Sequence, residues 1–161
     1  MAAEMMKNEL VAFMRANPLA TVATISSDGG PQAAIVGVAV SERLEIVFDT
    51  LDTSRKFLNV KGEPRIAAVF GAAGAYQSGK HDERTLQYEG LADIPGGDEL
   101  KRVQEDIYFG QFPDGRLRMK WAHIAYVRVT PTWIRYSDYN VSPPRIVELR
   151  GRELAKFIAG M

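Results

Sequence analysis

The chain has 161 residues and a mass of 17.9 kDa, with 46% hydrophobic and 25% charged residues, so its composition is that of one folded domain spanning 1–161 rather than a disordered chain. Twenty Lys and Arg balance twenty Asp and Glu, which removes the electrostatic case for nucleic acid or for an anionic membrane surface as partner. Cysteine is absent, so disulfides, thiolate nucleophiles and iron–sulfur ligation are excluded, and with only His81 and His123 to supply imidazole no metal site is expected.

Charged residues at Glu4, Lys7 and Glu9 interrupt the N-terminus, and the longest apolar run, Ala33 to Val40, is far below the roughly 20 residues needed to cross a bilayer. A cytoplasmic protein is the expectation. Met6, Leu10, Phe13 and Met14 recur at helical spacing and predict an amphipathic helix over about 4–16, ended by Asn17-Pro18. Two antiparallel strands follow, Ala20 to Ser26 and Gln32 to Val40, joined by a Ser27-Asp28-Gly29-Gly30 turn. Leu44 to Thr50 alternates Leu44, Ile46 and Phe48 against Glu45, Val47 and Asp49, which predicts a third strand of the same meander.

Asp52-Thr53-Ser54 offers N-cap oxygens to a short helix through Arg55, Lys56, Phe57 and Val60, stopped by Gly62 and Pro64. Strand four is Arg65 to Phe70, and Gly71 to Asp82 is an exposed Gly-rich connection. Thr85 to Ile94 is the fifth strand, with Gly90 a bulge. A helix from Asp98 to about Phe109 with Leu100, Val103 and Ile107 inward, a long strand from about Ala122 to Tyr136, a Pro143-Pro144 break and a helical tail over about 145–161 complete the chain. Six strands with helices between or outside them predict a mainly β (α+β) fold, a small antiparallel barrel.

Gly74 to Lys80 matches the first seven positions of a P-loop, but His81 replaces the magnesium-binding Ser or Thr and the segment leads into a strand, so nucleotide hydrolysis is rejected. Tyr76, Lys80 and His81 read as a gating loop or as ordinary solvated residues. The Asn140-Val141-Ser142 acceptor carries no meaning without a secretory signal. The strongest chemical feature is Thr50 through Lys56, where a strand end feeds a helix start and gathers hydroxyls, cations and free N–H groups. Two readings stand for it: a phosphate site, or a capped helix with two solvated basic side chains.

The order of Ile46-Val47-Phe48-Asp49-Thr50, Ser54-Arg55-Lys56, Pro64-Arg65-Ile66-Ala67 and Glu89-Gly90 resembles the pyridoxamine 5′-phosphate oxidase-like, FMN-binding split-barrel family from Leu19 to about Asp138. The resemblance implies a six-stranded Greek-key split barrel that forms a homodimer with FMN in clefts between subunits. It implies that Ala34, Ile35 and Val36 present backbone groups to the isoalloxazine, and that Asp49 and Thr50 flank the ribityl chain and ring. Ser54, Arg55 and Lys56, assisted by Thr53, would clamp the phosphate; Thr85 or Gln87 would approach the flavin, and Trp133 and Arg135 would cover it from the other subunit, unless Trp133 is an aromatic of the dimer core. Where the true oxidases place an Arg and a Lys on strand two, this chain has Ala34 and Ala39, and Arg145 to Met161 lacks their Arg-Leu-His signature. The implied function is therefore a flavin-dependent oxidoreductase on a small organic substrate, not a true pyridoxamine-phosphate oxidase, with no acid or base assigned. Alternatives are a non-enzymatic flavin- or haem-binding module, and a deazaflavin-dependent reductase of the same superfamily.

Overall fold

A computed structural model describes residues 2–71 and 82–160, with only the backbone of residues 2–5. The Gly74–Lys80 segment, with Tyr76 and His81, lies outside the described residues. Helix α1 (Ala2–Ala16) precedes the hairpin β1 (Leu19–Ile25) and β2 (Pro31–Gly37), whose turn is closed by Ser26 and Gly30 in reciprocal hydrogen bonds, with Gly29 at φ 83°. Then come β3 (Ala39–Val40), β4 (Ile46–Leu51), α2 (Arg55–Gly62), β5 (Arg65–Gly71) and β6 (Arg84–Asp93). A helical cover follows, α3 (Gly97–Arg102) running through a π-helical turn (Val103–Tyr108) into α4 (Phe109–Gln111), then α5 (Gly115–Arg118). The chain ends with β7 (Ile124–Asp138), β8 (Arg145–Arg150) and α6 (Gly151–Ala159).

The strands form one antiparallel sheet in the order β2-β1-β5-β6-β7-β4-β3, with β8 also on β7. β2 and β3 stand at opposite ends of that order yet are separated in sequence by Val38 alone, so the sheet must curl to bring its ends together: a split barrel. Side chains of alternate residues fill the interior, among them Val22, Ile46, Phe48, Phe70, Leu86, Tyr88, Val127, Ile134 and Tyr136, all 2% exposed or less. Leu10, Phe13 and Met14 of α1, Phe57 and Val60 of α2, and Leu154 and Phe157 of α6 extend this core. A second, smaller core lies on the other face of β4, where Val47 and Tyr126 pack against Val103, Ile107, Tyr108 and Phe109.

The alternation expected of β4 holds, with Ile46 and Phe48 in the barrel and Val47 under the helical cover. The Gly90 bulge is present: register shifts between Glu89 and Gly90, and a Cβ on Gly90 would stand 2.5 Å from the Thr130 carbonyl oxygen, so no larger residue fits without movement. Two expectations are corrected. The strand expected over Gln32 to Val40 breaks at Val38, whose N–H turns to Pro18, and β4 pairs with the short β3 rather than continuing the β1–β2 meander. Residues 145–150 are not helical tail but strand β8, because Ile146 to Arg150 pair along the upper half of β7 from Ser137 to Trp133; eight strands stand where six were expected. The helix over Asp98 to Phe109 is present with Val103 and Ile107 buried, but its middle widens to π geometry. Among the described residues no helix is long and apolar enough to cross a membrane.

Candidate functional site

The end of β4 and the start of α2 build the most concentrated polar corner of the fold. Ser54 has extended backbone angles, and its hydroxyl accepts from the Phe57 N–H at 3.4 Å, the geometry of an N-cap. The same oxygen lies 2.9 Å from Thr50 Oγ1, whose residue is 7% exposed. Phe57 and Val60 turn into the barrel, and that fixes the first turn of α2 so that Arg55 and Lys56 stand away from the core. Asn59, one turn on from Arg55, donates to Thr24 Oγ1 at 3.0 Å and Gln32 Oε1 at 2.8 Å and so ties the helix to the β1–β2 hairpin.

Between hairpin and helix lies a cleft of about 200 Å³ lined by Val22, Thr24, Gln32, Ala33, Ala34, Arg55 and Lys56. It adjoins a wider one of about 770 Å³ that shares Gln32 and Arg55 and runs under the Ser26–Gly29 turn. Among the described residues neither Arg55 nor Lys56 forms an ion pair, whereas most other arginines are held by carboxylates. The Ser26 hydroxyl and then the Gly30 N–H hold the Asp28 carboxyl below its ordinary range, and Arg55 adds the smallest of the contributions. A partly buried Lys56 without a counter-ion, beside a helix N-terminus, is a place where an anion is stabilised on three counts: Coulomb attraction, free N–H groups and the helix dipole.

The residues that the sequence marked out separate into two groups. Ala34, Thr50, Ser54, Arg55 and Lys56 gather at this corner, with Thr53 exposed in the turn before the cap and Val36 packed on the barrel core. Ile35 (71% exposed), Thr85 and Gln87 lie on the outer face of the sheet, with Gln87 directly opposite Arg135 on β7 and Trp133 opposite Glu89. The Trp133 indole N–H donates to Glu148 Oε1 at 2.9 Å, which holds that carboxyl below its usual range, and Arg135 pairs with the other oxygen at 3.3 Å. Ala34 on β2 stands three strands from β6 across β1 and β5, or about 14 Å at ordinary strand spacing, whereas Thr50 is on β4, which pairs directly with β7. Thr85, Gln87, Trp133 and Arg135 are not among the residues that line the cleft at this corner.

Asp49 is placed differently from its neighbour Thr50. Its carboxylate points to the helical cover, where it accepts from Arg118 Nε at 2.6 Å; Arg118 also donates to the Tyr108 hydroxyl at 2.9 Å and to Asp114 at 2.9 Å. Burial, then the nearby Asp49 charge, pushes the Tyr108 phenol up, and the bond to Asp49 raises Arg118. Sequence reasoning missed Arg118, because the short Gly115–Arg118 turn has no periodicity to mark an inward residue. Asn59 and Gln32 were missed too, although Asn59 falls four residues after Arg55, on the same helix face. His123, at φ 68°, pairs through Nδ1 with Asp52 Oδ1 at 3.1 Å. No group of three or more residues able to hold a metal occurs among the described residues.

The curled antiparallel sheet with a polar corner at the strand-to-helix turn defines a split-barrel protein. The chain belongs to the pyridoxamine 5′-phosphate oxidase family, whose model matches residues 6–138. Its fold is similar to that of a heme binding protein from Mycobacterium smegmatis, with 18% identity and a TM-score of 0.74, covering 99% of this chain and 60% of that one. It is similar as well to a putative pyridoxamine 5′-phosphate oxidase from Listeria innocua (15% identity, TM-score 0.60, 81% and 97% covered). A third similar structure is the heme storage protein HutZ from Vibrio cholerae (14% identity, TM-score 0.58, 77% and 88% covered). No curated protein sequence matches the chain.

Proposed function

We propose that this is a cytoplasmic FMN-binding flavoprotein, an oxidoreductase for a small organic substrate, working as a homodimer. The observation that carries the reading is the pair of cations, Arg55 and Lys56, without ion-pair partners among the described residues, at the N-terminus of α2 beside the Ser54 and Thr50 hydroxyls. Such a donor set suits a dianionic phosphate, and the adjoining backbone of β2 at Ala33 and Ala34 offers a wall for a flat ring. The bound flavin would supply hydride exchange, which the protein's own side chains do not offer. Asn59 would keep the clamp in place by fixing α2 to the hairpin.

A dimer is part of this reading because Thr85, Gln87, Trp133 and Arg135 do not line the cleft at the clamp of their own subunit. Leu19, Ile35, Val69 and Leu91 leave an apolar outer face on β1, β2, β5 and β6, each 49% exposed or more. A second copy laid on it would cover that face and bring Gln87, Trp133 and Arg135 of one subunit toward the clamp of the other. Tyr126 and Tyr136 do not serve this surface, since both are buried in their own subunit.

Pyridoxamine-phosphate oxidation is not part of the proposal. Ala34 lines the cleft without charge, Ala39 is fully buried, and Arg145 and Arg150 are held by Glu9 and Glu148. The test is a fluorescence titration with FMN and riboflavin. FMN is expected to bind at least ten-fold more tightly, and Lys56→Ala should weaken FMN while leaving riboflavin within two-fold. Equal affinity for the two ligands would remove the phosphate clamp and the proposal with it.

A haem-binding module is the second reading, favoured by the exposed His123 with its Nδ1 anchored on Asp52, which leaves Nε2 outward, and by the two similar structures named for heme. Hemin that gives a Soret band, lost in His123→Ala, would support it over FMN. A deazaflavin in place of FMN would show as a cofactor of different mass released from the heat-denatured protein.

A further inference from the structure

A separate cleft, of about 240 Å³, opens on the far side of β4 from the phosphate clamp, between the start of β7 and the π-helical turn. Its walls are apolar, with Ile94, Leu100, Met119 and Ile124, and two polar side chains reach it, Gln104 and Tyr126. Tyr126 is 4% exposed, and its hydroxyl is the single buried side-chain polar atom without a hydrogen bond among the described residues. The Gln104 amide lies near enough to favour the ionised phenol slightly, but it makes no hydrogen bond of good geometry to the hydroxyl. An orphan phenol in a native core is unusual, since leaving a buried donor unsatisfied is costly and the common remedy is a partner from outside the chain.

The position of the orphan explains why no side chain of the fold reaches it. Tyr126 is locked edge-on between Tyr108 and Phe109, with ring centroids at 5.5 and 6.4 Å, so the ring cannot swing to seek a partner. Its cross-strand neighbour Asp49 is already taken by Arg118. Gln104 belongs to the π-helical turn, where the extra residue per turn offsets its side chain from the regular helical face; such turns recur at functional sites.

We propose that this cleft binds a small neutral molecule made of one ring or a short branched chain bearing a carbonyl, with the carbonyl oxygen accepting from the Tyr126 hydroxyl and Gln104 turning aside to admit it. The volume sets the size, being larger than a cavity that holds benzene and smaller than a pocket for a drug-sized ligand. The lining sets the charge, because no cation borders the cleft and a carboxylate there would lose its hydration with nothing in return. The phenol sets the polarity: burial and then Asp49 raise it, so it is a donor throughout the neutral range. The inference does not depend on the flavin reading, for this cleft shares no residue with the two at the clamp.

Acetophenone, its isostere ethylbenzene and the anion benzoate are the probes, with the full chain followed by the methyl resonance of Met119 and the amides of Ile124 and Gln104. Saturable shifts with acetophenone, at least five-fold weaker binding of ethylbenzene and none of benzoate are expected. Tyr126→Phe should fold with an unchanged or higher Tm and should erase the preference for acetophenone over ethylbenzene, while Gln104→Ala should tighten acetophenone. The absence of saturable shifts, a preference that survives Tyr126→Phe, or a Tm lowered by several degrees in that variant, which would reveal a hydrogen bond already in place, each overturns the proposal.

Discussion

Replacing Arg118 by Met keeps the aliphatic stem and removes the guanidinium that joins the helical cover to β4. Three hydrogen bonds go, to Asp49, Tyr108 and Asp114. Asp114 is mostly exposed, so its share is small. The Asp49 pair is another matter, since the two side chains are 16% and 21% exposed, and the carboxylate would remain behind without a partner. Exposed pairs contribute about 0.2–1 kcal/mol and breaking fully buried ones costs about 3–5, so a pair this sheltered should cost about 2 kcal/mol. In a chain of this size that is a fall in Tm of about 4–8 °C. Urea unfolding followed by Trp fluorescence, repeated for Asp49→Asn and for the double variant, gives the coupling directly; about 1–2 kcal/mol is expected. A coupling below about 0.3 kcal/mol would show that solvent screens the pair and that apolar packing alone holds the cover. Because Asp49 faces the cover, the double variant should also keep the ratio of FMN to riboflavin affinity unchanged.

Gly90→Ala should destabilise by about 3 kcal/mol, because the new Cβ meets the Thr130 carbonyl oxygen at 2.5 Å and Val129 Cγ1 at 2.6 Å; a thermal melt within 2 °C of the parent, on the order of 0.5 kcal/mol, would contradict the bulge geometry. Burial raises the phenols of Tyr88, Tyr108, Tyr126 and Tyr136 above their ordinary value, so above about pH 10 the unfolded chain loses protons that the native chain keeps. Their contribution is fully present below that pH and is lost as pH rises through the raised values. Phenolate absorbance should therefore appear together with unfolding, and a smooth titration of all tyrosines in the folded protein would refute the assignment. Ile35→Glu, on the apolar outer face, should yield a monomer by sedimentation with FMN binding weakened at least ten-fold; a monomer that binds FMN as well as the parent would show the cleft complete within one subunit.

Much of this architecture was legible because it rests on local rules. The Ser27–Gly30 turn, the cap at Ser54 and the alternation of Ile46, Val47 and Phe48 each depend on a few adjacent residues, and each is present. Strand β8 was not legible, because Arg145–Arg150 is half charged and largely exposed; its strand state comes from pairing with β7, a contact between segments with no local signature. At the polar corner, Thr50 and Ser54 could be placed together from their spacing. That Asp49 would turn to the opposite face follows from strand alternation, but its partner Arg118 lies 69 positions away and only the fold connects them. The place of Tyr126 in the second core was not legible either, since alternation along β7 leaves open which of two apolar layers a residue enters.

Strand β7 carries a further consequence. One of its sides is paired with β6 along nearly its whole length, whereas the other is paired with β4 from Ile124 to Val129 and with β8 from Trp133 to Asp138. The three residues between, Thr130 to Thr132, belong to neither partner, and the middle one is Pro131, which has no N–H to offer. A notch of open strand edge in the middle of a β-rich protein would ordinarily be a place for a stray chain to dock and for aggregates to start. Here the proline denies the donor, the gap is too short to seat a strand, and the two threonines flanking it are exposed and polar. The fork in the sheet thus costs the protein little solubility, and a Pro131→Val variant is where slow fibre formation on storage should first be seen.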